Sequence, residues 1–288
     1  MNPPPQTSHA FTLTEPGTDT PLAQPVHDDG IFDLLRPERR HLFDTFAAQY
    51  TAVRAAEERK LTPEEVRALP TLRNDHPLAS MWMQRAASYA RLTDQLPTVA
   101  GTAVDIGAGS GWLAADLTRR GWRSAATDVT VDGGDGLASA KHHPEEILLV
   151  RAEMEALPFA SNSVDLAVFN ASLHYGGVIT NALDEAIRIV RTGGVVAVLD
   201  SPIFTDATAG AAMVEEFASH ALNNLGVEAA THLGPGYVLE ADIAAYNFTR
   251  ITGSSGLRNQ VRRWRGARRA GRETASRPLL LLTIGDRP

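Results

Sequence analysis

The 288-residue chain contains no cysteine. Disulfides, thiolate nucleophiles and zinc-thiolate sites are therefore excluded, and no metal-ligand pattern is expected elsewhere. Long apolar runs are also missing. The longest, Pro278 to Ile284 and Val195 to Leu199, fall far short of the roughly 20 residues that span a bilayer. The first 25 residues have neither a basic start nor an apolar stretch, so they do not read as a secretion signal, and a cytoplasmic location is expected. Lysine is scarce, with only two against 25 arginines, which looks like coding bias. Excess positive charge is absent too, since the net charge of -7 gives no general reason to expect a nucleic-acid partner.

What is present is enough apolar residue, 43%, to fill the core of one large domain with a cap. The first 30 residues, rich in Pro, Thr and Asp, read as a disordered tail. Residues 31–97 read as a helical cap. Phe43, Phe46, Ala47 and Tyr50 recur at helical spacing, as do Met81, Arg85, Ala86 and Tyr89. Thr62 before Pro63 and two glutamates is a helix start.

From residue 98 onward, strands alternate with helices, which predicts a Rossmann-like, mostly parallel sheet covered on both faces. Strands are expected at 102–106, 123–128, 147–150, 164–169, 194–200, 245–251 and 278–284, and helices at 111–120, 178–191 and 209–224. Nine arginines against one glutamate over 250–277 give that stretch +8, leaving -15 for the remainder. The segment 258–272 has helical period, with three readings: a solvated basic helix, a patch for an anionic substrate or membrane surface, or an RNA contact.

The stretch VDIGAGSG, Val104 to Gly111, places three glycines between a strand and a helix, where a ligand can approach the main chain. Asp128 follows at the end of the next strand, where a carboxylate can accept from ribose hydroxyls. A dinucleotide fingerprint requires a small residue where this chain has Trp112, so that pattern fails. Asp135, in a glycine-dense loop, reads as a cap for the next helix or as a ribose-side contact.

The acidic-x-G-x-G-x-G run from Asp105 to Gly111, together with Asp128, RAEMEALPF (Arg151 to Phe159) and VDLAVFNASLHY (Val164 to Tyr175) followed by RTGGVVAVLDSP, resembles the class I S-adenosylmethionine-dependent methyltransferases of the small-molecule type. The resemblance implies a seven-stranded, mostly parallel sheet and S-adenosyl-L-methionine as cofactor. It assigns Asp105 to the methionine ammonium, with Gly107, Ala108, Gly109 and Gly111 as the floor. Asp128 and Val129 fall at the ribose, Glu153 and Met154 at the adenine (Glu standing in place of the family's usual Asp), and Asn170 at the end of the fourth strand of that sheet.

Methyl transfer from a sulfonium is an in-line displacement, so placement and exclusion of water matter most, and a base is needed only for a protonated nucleophile. His174 is a candidate base or a packing residue, and Asp200 is a second candidate base. In the cap, Tyr50 with Arg54, and Trp82 with Arg85, can form a substrate pocket together with Tyr175, where an Arg and an aromatic recognise a carboxylate or flat ring. Trp82 and Tyr89 read equally as core anchors. The expected partner is a small molecule, and the oligomeric state is left open. Two other functions compete: a nicotinamide-dependent oxidoreductase, and a non-catalytic nucleoside- or RNA-binding module.

Overall fold

The computed structural model describes residues 10–22, 27–228, 233–252 and 271–285. The arginine-rich segment lies almost wholly outside the described residues. In chain order the elements are β1 (His27–Asp28), β2 (Ile31–Asp33), α1 (Arg40–Ala56), α2 (Pro63–Ala68), α3 (Ala79–Thr93), β3 (Thr102–Ile106) and α4 (Trp112–Arg119). There follow β4 (Arg123–Asp128), α5 (Leu137–Ala140), β5 (Leu148–Arg151), β6 (Val164–Asn170), α6 (Ile179–Ile189) and β7 (Val190–Leu199). The chain continues with β8 (Ile203–Phe204), α7 (Ala207–His220), β9 (Val238–Leu239), α8 (Glu240–Ile243), β10 (Thr249–Ile251) and β11 (Leu279–Thr283).

The central sheet has the order β1-β2-β5-β4-β3-β6-β7-β11-β10. Strands β2, β5, β4, β3, β6 and β7 run parallel, with β11 antiparallel against β7 and β1 antiparallel against β2. Sequence predicts seven strands; the described sheet has nine, because Ile31–Asp33 pairs with Leu149–Arg151. This hairpin covers what would otherwise be the exposed edge of β5. All five residues of β3 are buried, as expected of a central parallel strand packed on both faces.

Part of the segment expected as a tail joins the core. Phe11 packs on Phe159 with ring centroids 5.7 Å apart, and Leu13 bridges to Phe159. Residues 31–33, expected within the helical region, are strand. α1 buries Phe43, Phe46 and Val53, and α2 opens on a capping box between Thr62 and Glu65. α3 turns Trp82, Ser88, Tyr89 and Leu92 inward. α6 buries Ile179, Ala182, Leu183, Ala186 and Ile189, the i, i+3, i+4, i+7 stripe that fixes it to the sheet.

Successive crossovers lead from β3 through β4 to β5 on one side, and the chain then returns to β6 and β7 on the other. The strand order therefore reverses between β3 and β6, and a crevice opens beyond their carboxyl ends.

Candidate functional site

A cleft open to solvent lies at that reversal. Its floor is the turn from Gly107 to Ser110, and the cap helices α1 and α3 form a wall.

The glycines are required by the chain itself. Gly107 has φ +71°, and a Cβ there would stand 2.5 Å from the Ser172 side chain. Gly111 has φ +69°, and its Cβ would meet Ala140 at 2.7 Å. The backbone amides of the turn are largely committed as well. Gly107 and Ala108 both donate to the Thr127 carbonyl (2.8 and 2.9 Å), Gly111 donates to Ala108 (3.0 Å), and Gly109 donates to Asp128 Oδ2 (2.8 Å). The open amide nest that cradles a pyrophosphate is therefore not what this turn offers.

Carboxylates stand around that floor. Asp105, 2% exposed and next to last in β3, lines the cleft, and its Oδ1 is buried without a hydrogen-bond partner among the described residues. Burial pushes its pKa up to about 8, helped by Asp128 and opposed by a bond from the Ala114 amide. Such an orphaned oxygen is stabilised by an incoming cation. Asp128 also lines the cleft; its Oδ1 accepts from the amide and hydroxyl of Thr130 (2.8 and 2.7 Å). Burial raises its pKa while these bonds oppose the rise. Val129, Met154 and Asn170 complete the wall, and Asn170 Oδ1 is likewise buried without a partner among the described residues.

The residues carried over from the sequence divide here. Asp105, Gly107, Ala108, Gly109, Asp128, Val129, Met154 and Asn170 all line the cleft. Gly111 does not line it; it supports the turn from behind and caps α4. Glu153, assigned by resemblance to the adenine, does not line the cleft. It is 1% exposed and held by Arg36, which donates at 2.5 and 2.9 Å, and by Arg39 at 2.8 Å. Nothing before residue 40 in the sequence signalled these partners, because the pairing depends on the N-terminal segment folding across β5.

Of the two readings of Asp135, helix capping falls. Gly136, not Asp135, is the N-cap of α5, and the Asp135 carboxylate faces the cleft instead, accepting from Tyr50 Oη at 3.3 Å and standing 3.8 Å from Arg54. The two candidate bases lie outside the cleft lining. His174, in a turn of 3-10 helix, has Nδ1 3.4 Å from Ser201 Oγ and its ring against Tyr175. Asp200, in the left-handed region at φ +57°, accepts from Ser88 Oγ at 2.7 Å.

All five cap and rim candidates come together. Tyr50 and Arg54 of α1, Trp82 and Arg85 of α3, and Tyr175 line one wall. Arg54 donates to Tyr175 Oη (3.2 Å) and Glu57 (2.9 Å). Trp82 is both wall and anchor: 3% exposed, it meets Trp112 edge-on at 5.6 Å, while Tyr89 meets the same ring at 5.3 Å. Arg59, Leu61, Leu78 and Met81 also line this wall. Sequence reasoning missed them, because Arg59 and Leu61 sit in the connection between α1 and α2.

Residues 104–198 match the family model described as a methyltransferase domain. The chain is 30% identical over 124 residues to malonyl-[acyl-carrier protein] O-methyltransferase of Salmonella typhimurium, covering 41% of this chain and 48% of that protein. It is 31% identical over 114 residues to a biotin biosynthesis bifunctional protein of Cellvibrio japonicus, covering 39% of this chain and 22% of that protein. The chain thus spans less than half the length of these curated relatives. Among solved structures, a protein from Bacillus halodurans described as a methyltransferase superposes with a TM-score of 0.45 at 13% identity, over 68% of this chain and 96% of that one.

Proposed function

We infer that this chain, which carries a class I methyltransferase domain, binds S-adenosyl-L-methionine in the cleft and catalyses methyl transfer to a small acceptor held beneath the helical cap. When bound, that cofactor supplies a methyl group on sulfur, electrophilic enough to be displaced in line. The observation that carries the reading is Asp105: a buried carboxylate oxygen without a partner among the described residues, lining the cleft one residue before the end of the central strand. An ammonium is the group it suits.

The chain's own residues divide the remaining work. Asp128 presents a carboxylate suited to vicinal hydroxyls while bracing the turn through Gly109. Ile106, Ala152 and Met154 offer apolar surface for a flat base. Tyr50, Tyr175 and Trp82 shield the acceptor side from water, which favours displacement by the acceptor over hydrolysis. The committed amides of the glycine turn disfavour a dinucleotide's pyrophosphate, and with it the oxidoreductase reading. A cytoplasmic location remains part of this proposal; among the described residues no helix is long and apolar enough to cross a membrane.

Calorimetry tests the reading. S-adenosylhomocysteine is expected to bind and NADH not to, and Asp105→Asn is expected to weaken the first by at least about tenfold. Binding of NADH with indifference to S-adenosylhomocysteine would reverse the conclusion.

A further inference from the structure

On the acceptor side of the cleft, three guanidinium groups converge. Arg54 and Arg59 both engage Glu57, Arg59 with Nε at 2.9 Å and its Nη1 3.6 Å from Met81 Sδ. Arg85 stacks on the Trp82 ring, with its central carbon 4.9 Å from the ring centroid, and no carboxylate among the described residues lies within ion-pair distance of it. The charges are close enough to act on one another: Arg59 is held below the usual guanidinium pKa by burial and by Arg54 and Arg85. Asp135 and Asp200 both feel the charge of Arg85, yet each is already hydrogen-bonded, to Tyr50 and Ser88 respectively.

Crowding like charges in a partly buried, apolar-walled space costs free energy unless an anion enters. Leu61, Leu78, Met81 and Trp82 give that anion an apolar neighbour. A guanidinium whose flat face is occupied by an indole keeps its edge free for a bidentate carboxylate. The adjoining mouth, lined by Arg54, Arg59 and Lys60 with Asp132 and Asp135 opposite, carries cationic groups out toward solvent.

We propose that Arg85, seated on Trp82 and supported by Arg59, is the acceptor-binding residue for an organic acid with an apolar body, its carboxylate received by the guanidinium edge. The proposal rests on the methyl-transfer reading for what becomes of that acid, and on the cleft alone for its binding.

The probes are phenylacetate and hexanoate, each compared with its amide, titrated calorimetrically into the protein with and without saturating S-adenosylhomocysteine. At least one acid is expected to bind about tenfold or more tightly than its amide. Arg85→Gln should abolish that preference, Arg85→Lys should restore part of it, and S-adenosylhomocysteine affinity should stay within threefold throughout, with a thermal melt confirming that each variant is folded. Equal binding of acids and amides, or binding of neither, overturns the proposal, as does a preference that survives in folded Arg85→Gln. A tenfold loss of S-adenosylhomocysteine affinity in Arg85→Gln also overturns it, assigning the guanidinium to the cofactor's own carboxylate. If the parent protein fails to bind S-adenosylhomocysteine, the methyl-transfer reading falls, and the acid-amide comparison in the cofactor-free protein still decides the subsite.

Discussion

Arg36 grips Glu153 with two charge-assisted hydrogen bonds from 117 positions earlier in the chain, and Arg39 adds a third contact to the same carboxylate. The N-terminal strap is thereby tied to the end of β5. Glu153→Gln is expected to destabilise the protein by about 1–3 kcal/mol, because Arg36 loses its paired carboxylate and Arg39 keeps only Glu155, at 3.4 Å. Urea unfolding measures this. Cofactor affinity should change less than threefold; a collapse of affinity at unchanged stability would return Glu153 to adenine recognition.

Asp105 sets a pH dependence. Its folded pKa, about 8, lies above the unfolded carboxylate value, so between roughly pH 4 and 8 the folded state holds a proton that the unfolded state has lost. Stability without cofactor should therefore fall as pH rises through that window, and Asp105→Asn should flatten the fall. Cofactor affinity should do the opposite in the parent, rising toward pH 8 as the carboxylate ionises. Paired denaturation and calorimetry at pH 6 and 8 check both slopes.

Asp128 joins two roles that the sequence kept apart. A ribose-facing acid at a strand end is expected to serve the ligand and leave the fold alone, but its bonds to Gly109 and Thr130 brace the floor. Asp128→Ala should cost about 1–3 kcal/mol of stability as well as cofactor affinity, with Asp128→Asn milder on both counts. Thermal unfolding beside calorimetry separates the two losses.

His174 stands against Ser201 and Tyr175, outside the cleft lining. With an acceptor identified, His174→Ala should leave kcat within about threefold of the parent. A loss of a hundredfold or more, the scale of general-base removal, would restore it to the chemistry.

β3 and β4 were legible to the residue, whereas β7 begins at Val190, four residues before the expected start. β3 stops where its apolar run meets Gly107 and β4 closes on Asp128, because a buried parallel strand stays mostly apolar until it reaches the crevice. Asp105 and Asp128 were legible from their place near those ends, beside the crevice; the bracing bonds of Asp128 were not. Phe11 and Ile31–Asp33 were not legible, since a few residues in a polar stretch become strand or core only when an existing edge receives them. The partners of Glu153 and Asp135 were not legible, because local sequence shows neither Arg36 nor Tyr50 as a neighbour. Arg59 was passed over because a basic residue between helices ordinarily faces water.

The amides of Gly107, Ala108, Gly109 and Gly111 have partners before any guest arrives. A molecule settling there finds a finished seat and has no loop to freeze, so little of its binding energy is lost to ordering the protein. Selectivity at that seat then rests on charge and shape alone, and substitutions that loosen the turn should blunt affinity for every nucleoside-bearing guest alike.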